Sequence, residues 1–244
     1  MLVAALVFLF VNTMCIAILS YTNQVMRNRA ITAAADHSLL LDPSGGRLDD
    51  DLQLTLKALD STYPYNFKPN LSVMIPLQGF ISLGCFVACY YLFKEDSWLV
   101  YASSMAILGS LALLDGFSTW LPRHYSITLI AAFIGLAAYG ISANDLTLTQ
   151  AIIGPVFAWL ICWLANVVCA AINRAPAIAD GDTYYLMAIG ALLGPDVSVA
   201  ILVAVFIQTI LIKTRLLTTP QDTEKHAPFG PAIFSAFILI LLTF

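Results

Sequence analysis

Two aspartates stand where carboxylates are costly. Asp115 closes one long apolar run, and Asp182, within Ala179-Asp180-Gly181-Asp182, opens another. An acidic side chain near a bilayer core costs about 3 kcal/mol by insertion scales, so a membrane chain that keeps one usually has a use for it. If the two helices pack together, two carboxylates at one depth can divide general acid and base work. One, ionised, activates a water, and the other, protonated, assists a carbonyl and its leaving group. Held a few Å apart, like charges cannot both ionise, which makes that division automatic. Asp115 and Asp182 are therefore the candidate catalytic pair. Taken singly, each also reads as a helix cap, and Asp180 reads as a cap or a solvated neighbour, because Gly181 turns the chain between the two acids.

Other chemistries find less support. His124 and His226 are present, but no serine sits in a GxSxG elbow and no HExxH could hold zinc. The five cysteines, Cys15, Cys85, Cys89, Cys162 and Cys169, all fall in apolar runs without a CxxC pair, which argues for buried thiols over a disulfide framework or a structural zinc site. Asp49-Asp50-Asp51 reads as a solvated helix start, and His37 has no second ligand type near it. No metal and no cofactor are expected. With a net charge of -4 and no dense basic patch, nucleic acid is an unsuitable partner.

The elements that must position the pair are membrane helices. The chain is 60% hydrophobic and only 11% charged, against about 25% charged in soluble proteins. A span needs about 20 apolar residues to cross a ~30 Å hydrocarbon core. The pattern predicts an all-α, polytopic membrane helix bundle with about eight transmembrane segments: residues 1–20, 71–93, 98–114, 126–142, 151–171, a short piece at 184–193, 197–212 and 231–244. The expected organisation is a first transmembrane helix (1–20), a cytoplasmic loop appendage (21–70) and a membrane-embedded core (71–244). With the N-terminus outside, ten of the eleven basic residues fall on the cytoplasmic side and only Lys94 outside, as the positive-inside rule requires. Asp115 and Asp182 then share the cytoplasmic boundary.

Three segments resemble the type IV prepilin peptidases, membrane aspartic peptidases of the GxGD type. Leu114-Asp115-Gly116-Phe117-Ser118-Thr119-Trp120-Leu121-Pro122 looks like that family's first catalytic motif. Ala179-Asp180-Gly181-Asp182, continued by Gly190-Ala191-Leu192-Leu193-Gly194, is similar to the second motif and its small-residue helix. Pro228-Phe229-Gly230-Pro231 matches the family's Pro-Phe-Gly-Pro before the last span, and also reads as a helix entry. Gly190 and Gly194 form a GxxxG pair, whose ordinary meaning is close helix packing. Ala179 stands where the pattern has glycine, and Arg123 where many members have an acid.

The resemblance implies a multi-pass protein of the cell inner membrane with its site facing the cytoplasm, and Asp115 and Asp182 as the catalytic dyad. Gly181 would let the scissile peptide approach the backbone. The reaction would remove a short charged leader from a type IV prepilin or pseudopilin within the lipid bilayer. A small transporter or scaffold, using the same aspartates as proton or cation sites, is the alternative, with the short 184–193 piece in its favour. Many relatives hold zinc with two CxxC pairs in the first cytoplasmic region and also methylate the new N-terminus with S-adenosylmethionine. Residues 21–70 contain no cysteine. The expected outcome is processing that survives a chelator and yields an unmethylated N-terminus, checked by mass spectrometry of the cleaved product.

Overall fold

The computed structural model describes residues 2–41, 71–92, 98–118, 121, 123–141, 146–172, 177–213 and 228–243. Among these the chain is helical: α1 (Leu2–Leu41), α2 (Leu71–Leu92), α3 (Trp98–Ser118), α4 (Arg123–Ala138), α5 (Leu148–Ala171), α6 (Asp180–Leu193), a one-turn 3-10 segment (Gly194–Asp196), α7 (Val197–Lys213) and α8 (Gly230–Thr243). Five helical runs are long and apolar enough to cross a membrane: Val3–Thr22, Val73–Tyr91, Trp98–Gly116, Leu148–Ala171 and Asp180–Lys213. Helix α4 and the stretch Gly230–Leu241 are apolar but shorter. This is a polytopic helical membrane protein. Its outer faces fit that reading, with Trp159 and Trp163 on α5 and Leu202 and Phe206 on α7 exposed, while Ala158, Cys162, Ala200 and Ala204 on the same helices are buried.

Named contacts fix the direction of each helix. At one end, Phe8 of α1 packs edge to face on Phe86 of α2, which meets Trp98 at the start of α3. At the opposite end Leu19, Met74 and Leu114 of the same helices cluster. Neighbouring helices therefore alternate in direction, and the alternation continues through α4, whose Tyr125 accepts a hydrogen bond from Thr22 at the Leu114 end.

The run Asp180–Lys213 is a hairpin. Gly194 has φ of 61°, a backbone region that side chains rarely tolerate. In α7, Gln208 bonds Pro228 beside the start of α8, whereas Leu193, Pro195 and Asp196 share a cavity with Ile240 near its end. The chain must reverse between them, so α6 and α7 run side by side in opposite senses.

Two sequence expectations change. The first helix does not stop at residue 20 but continues to Leu41, because residues 21–41 contain no glycine or proline and are rich in helix-forming alanine and leucine. The first part of the expected 21–70 loop is thus helical, and residues 42–70, with the acidic run at Asp49, lie outside the described residues. Helices α3, α4 and α6 also extend past their apolar stretches, which brings Asp115 into the last turn of α3 and Asp182 into the first turn of α6.

Helix α6 is well enclosed, with Tyr185, Leu186, Ala188 and Ile189 all without exposure. Its closest neighbour is α5, and the crossing is built on paired glycines. A Cβ on Gly190 would stand 2.7 Å from the Gly154 carbonyl carbon and 2.9 Å from the Pro155 nitrogen, and a Cβ on Gly154 would collide with the Gly190 carbonyl. Small residues of this kind let membrane helices pack backbone to backbone. Gly190→Ala is expected to destabilise the protein by about 1–3 kcal/mol through overpacking. Gly79→Ala on the open face of α2, where nothing lies within 4 Å, should be neutral, and thermal unfolding in detergent distinguishes the two.

Candidate active site

The chain brings its three motifs to one end of the bundle. Asp115 comes from the last turn of α3, Asp182 from the first turn of α6, and Pro228 to Pro231 lead into α8. Both aspartates are buried, with 4% and 7% of their surface exposed, whereas Asp180 between them in the sequence motif is exposed. Leu121, in the segment that follows α3, packs on Gly181 beside Asp182, which ties the two aspartate-bearing turns together.

Each aspartate has its own setting. The Gly230 N–H donates a 2.7 Å hydrogen bond to Asp115 Oδ2. Gly230 opens α8, so Asp115 receives one of the free amides of a helix start and also sits at the positive end of that helix dipole. The contact leaves no room for a side chain, since a Cβ on Gly230 would lie 2.9 Å from both the Cβ and Oδ2 of Asp115. Alongside it, Gly116 faces the Pro231 ring, which would stand 3.2 Å from an added Cβ. Asp182 keeps one oxygen without a donor among the described residues. That oxygen, Oδ1, is fully buried. A buried carboxylate oxygen of that kind is a polar group still open to a hydrogen bond.

The backbone around Asp182 departs from the sequence reading in two instructive ways. Ala179 is the N-cap of α6 with φ of -71° and ψ of 156°, an extended conformation open to any residue. Alanine therefore replaces glycine here without strain. Gly181, by contrast, is required, but not to admit a substrate: a Cβ there would meet the Leu121 carbonyl oxygen at 2.7 Å. The space is occupied by the segment after α3, so Gly181 locks the two aspartate motifs together. The helix-cap readings also change. Neither Asp182 nor Asp180 is the N-cap of α6, and no side chain caps it; Asp115 acts as an acceptor for α8, not for its own helix.

Three further polar residues serve this end of the bundle and were not singled out from sequence. Tyr185, fully buried one turn after Asp182, donates a 2.7 Å hydrogen bond to the Leu108 carbonyl of α3. Asn166 of α5 pairs with both backbone groups of Ile178, and Gln208 of α7 donates to the Pro228 carbonyl. The signal was available: a carboxamide within an otherwise apolar span is costly and usually faces a partner. His124 is exposed and packs at a tilt against Tyr125, while His226 lies outside the described residues.

A zinc centre of the cysteine type does not fit this chain. Residues 21–70 supply no thiol, and the cysteines of the spans are dispersed along α1, α2 and α5. Among the described residues no group of three or more His, Cys, Asp or Glu side chains converges in a way suited to a metal ion.

Compared with curated proteins, the chain is similar to the prepilin leader peptidase/N-methyltransferase of Neisseria gonorrhoeae, with 26% identity over 139 residues. The aligned part is 56% of this chain and 46% of that protein, so the chain matches about half the length of its curated relative. The similarity supports the type IV prepilin peptidase family for this chain. No protein-family model and no solved structure matches.

The contacts between aspartate-bearing elements are open to direct measurement. Tyr185→Phe removes one hydrogen bond from α6 to α3 while keeping the ring, and is expected to cost about 1 kcal/mol. Gly230→Ala forces Asp115 aside and is expected to cost about 1–3 kcal/mol. Unfolding in detergent, followed by tryptophan fluorescence, should rank the alanine variant below the phenylalanine variant.

Proposed function

We infer, from the relation to type IV prepilin peptidases and from the placement of Asp115 and Asp182, that this chain is an aspartic endopeptidase of the membrane boundary. Its substrates are type IV prepilins or pilin-like precursors, whose short charged leader is cut from the membrane-spanning helix. The observation that carries the reading is convergence: two buried carboxylates from different helices lie at one end of the bundle, beside a helix start that binds one of them. Structural packing alone rarely brings two acids together in an apolar bundle.

The chemistry follows from two carboxyl groups sharing one proton. The ionised member takes a proton from a water as that water attacks the scissile carbonyl carbon. The protonated member hydrogen-bonds the carbonyl oxygen and stabilises the tetrahedral intermediate. A proton then passes to the departing amine as the C–N bond breaks. The Gly230 N–H fixes Asp115 in orientation, and the unpartnered Oδ1 of Asp182 offers an acceptor toward the reacting groups. Fixing the acids in advance avoids reorganisation during the reaction.

The eight helices of the described residues, alternating in direction, serve as eight crossings in this reading. Arg123 at the start of α4 and Lys213 at the end of α7 lie at the aspartate end. Basic residues mark the cytoplasmic face, so the site faces the cytoplasm and the N-terminus lies outside. A precursor held by its own helix reaches the site laterally, with its cleavage point at the depth of the acids. The short α6, which by itself suggested the broken helix of a transporter, is one arm of the hairpin turned at Gly194. Methyl transfer is not part of the proposed activity.

Asp115→Asn and Asp182→Asn are each expected to lower processing of a co-expressed tagged prepilin by at least about 1000-fold, with the protein still folded. Immunoblotting of leader removal measures it. Normal processing by either variant would refute the dyad, as would proton-coupled flux in liposomes without cleavage of any pilin-like helix.

A further inference from the structure

We propose that the two aspartates are positioned by a pair of carboxamide clamps, Asn166 and Gln208, on helices that carry neither acid. The proposal rests on the peptidase reading and names residues that the motifs do not contain.

Asn166 lies on α5, and the chain leaves that helix and returns at Ile178 before α6 begins. The Asn166 side chain spans this connection. Its Nδ2 donates to the Ile178 carbonyl at 2.9 Å, and its Oδ1 accepts from the Ile178 N–H at 3.0 Å. Both hydrogen-bonding groups of one residue are thereby held, as a neighbouring strand would hold them, and the peptide planes on each side of Ile178 are fixed. Ala179 follows in extended conformation, its carbonyl accepting from the N–H and the hydroxyl of Thr183. Gly181 then presses on the Leu121 carbonyl. The first turn of α6 is wedged between Asn166 on one side and the segment after α3 on the other. Asp182 projects from that turn with an oxygen that nothing among the described residues holds. Its position is set by its backbone, and the backbone is set by Asn166.

Gln208 does the corresponding work for Asp115. Its Nε2 donates to the Pro228 carbonyl at 3.1 Å, two residues before the Gly230 amide that binds Asp115. Pro228, Phe229 and Gly230 are all buried, and Pro228 has no N–H of its own with which to anchor the turn. Holding its carbonyl aims the Gly230 N–H at the carboxylate.

Neither amide touches the reacting groups, so both are positioning residues. A misplacement of about 1 Å can cost about 100-fold in rate, whereas single interhelical hydrogen bonds add little to the stability of membrane bundles. Loss of a clamp should therefore reduce kcat without unfolding the protein.

The test uses the full-length purified protein in detergent, with a synthetic or tagged precursor, and compares Asn166→Leu, Asn166→Asp and Gln208→Met with Asp115→Asn and Asp182→Asn. The leucine variant loses both bonds of its clamp, the aspartate variant keeps the acceptor for the Ile178 N–H, and the methionine variant keeps the length of glutamine without its amide. Asn166→Leu and Gln208→Met are expected to lower kcat by about 10-fold to 100-fold, with KM and melting temperature close to wild type. Asn166→Asp should fall between wild type and Asn166→Leu. Wild-type kcat in both Asn166→Leu and Gln208→Met would overturn the proposal, as would a loss of activity that only tracks a lowered melting temperature. If the two clamp variants are fully active while both aspartate variants are dead, the clamps fail and the peptidase reading stands. If an aspartate variant keeps normal activity, the peptidase reading itself is lost.

Discussion

A carboxylate drawn into a membrane bundle must find its hydrogen-bond donors within the protein, because hydrocarbon supplies none. Asp115 finds one in the Gly230 amide at the start of α8. That bond joins the end of one helix to the beginning of another across 115 residues of sequence, and it imposes conditions on both partners. The donor must be a residue without a Cβ, because the carboxylate sits where the Cβ would be. The helix starts there, and its first amides are the ones its own hydrogen-bond ladder leaves free to give. The turn before it must be held, and Gln208 holds it.

The same economy of space recurs at the second acid. Gly181 brings α6 against the Leu121 carbonyl, and Gly190 brings it against Gly154 of α5. Helix α6 is thus fixed by two glycine contacts, one at the level of Asp182 and one two turns beyond, with Tyr185 reaching across to α3 between them. Helices in lipid gain little from the hydrophobic effect against one another, so close packing and a few hydrogen bonds must supply their specificity. In this chain those devices are gathered on the helix that carries Asp182.

The relation to the prepilin peptidases is uneven along the chain. The three motif segments are present, and named contacts tie them together at one end of the bundle. Residues 21–70 contain no cysteine. The aligned curated relative is named for both peptidase and N-methyltransferase activity, and the chain matches about half of its length. The proposed function accordingly keeps the peptide-cleaving half of that pair, for which the two acids are present.

Composition and apolar run length alone determined the membrane class, the helical fold and the approximate position of each helix, because lipid permits few ways to satisfy a backbone and apolar runs of that length have only one common use. Asp115 and Asp182 were also legible, since buried acids in such a chain are conspicuous. Helix ends were less so. Residues 21–41 continue α1 because polar sequence without glycine or proline is as compatible with a helix as with a loop. Only the tertiary structure decided what each glycine is for. Gly181 and Gly230 look alike as small residues in the first turn of a helix, yet one receives a backbone carbonyl from the segment after α3 and the other the Asp115 side chain itself. It also decided the roles of Asn166, Gln208 and Tyr185, whose partners lie 12, 20 and 77 residues away in the chain. A hydrogen bond depends on distance and direction in space, and periodicity along one helix carries no record of which neighbour will be there.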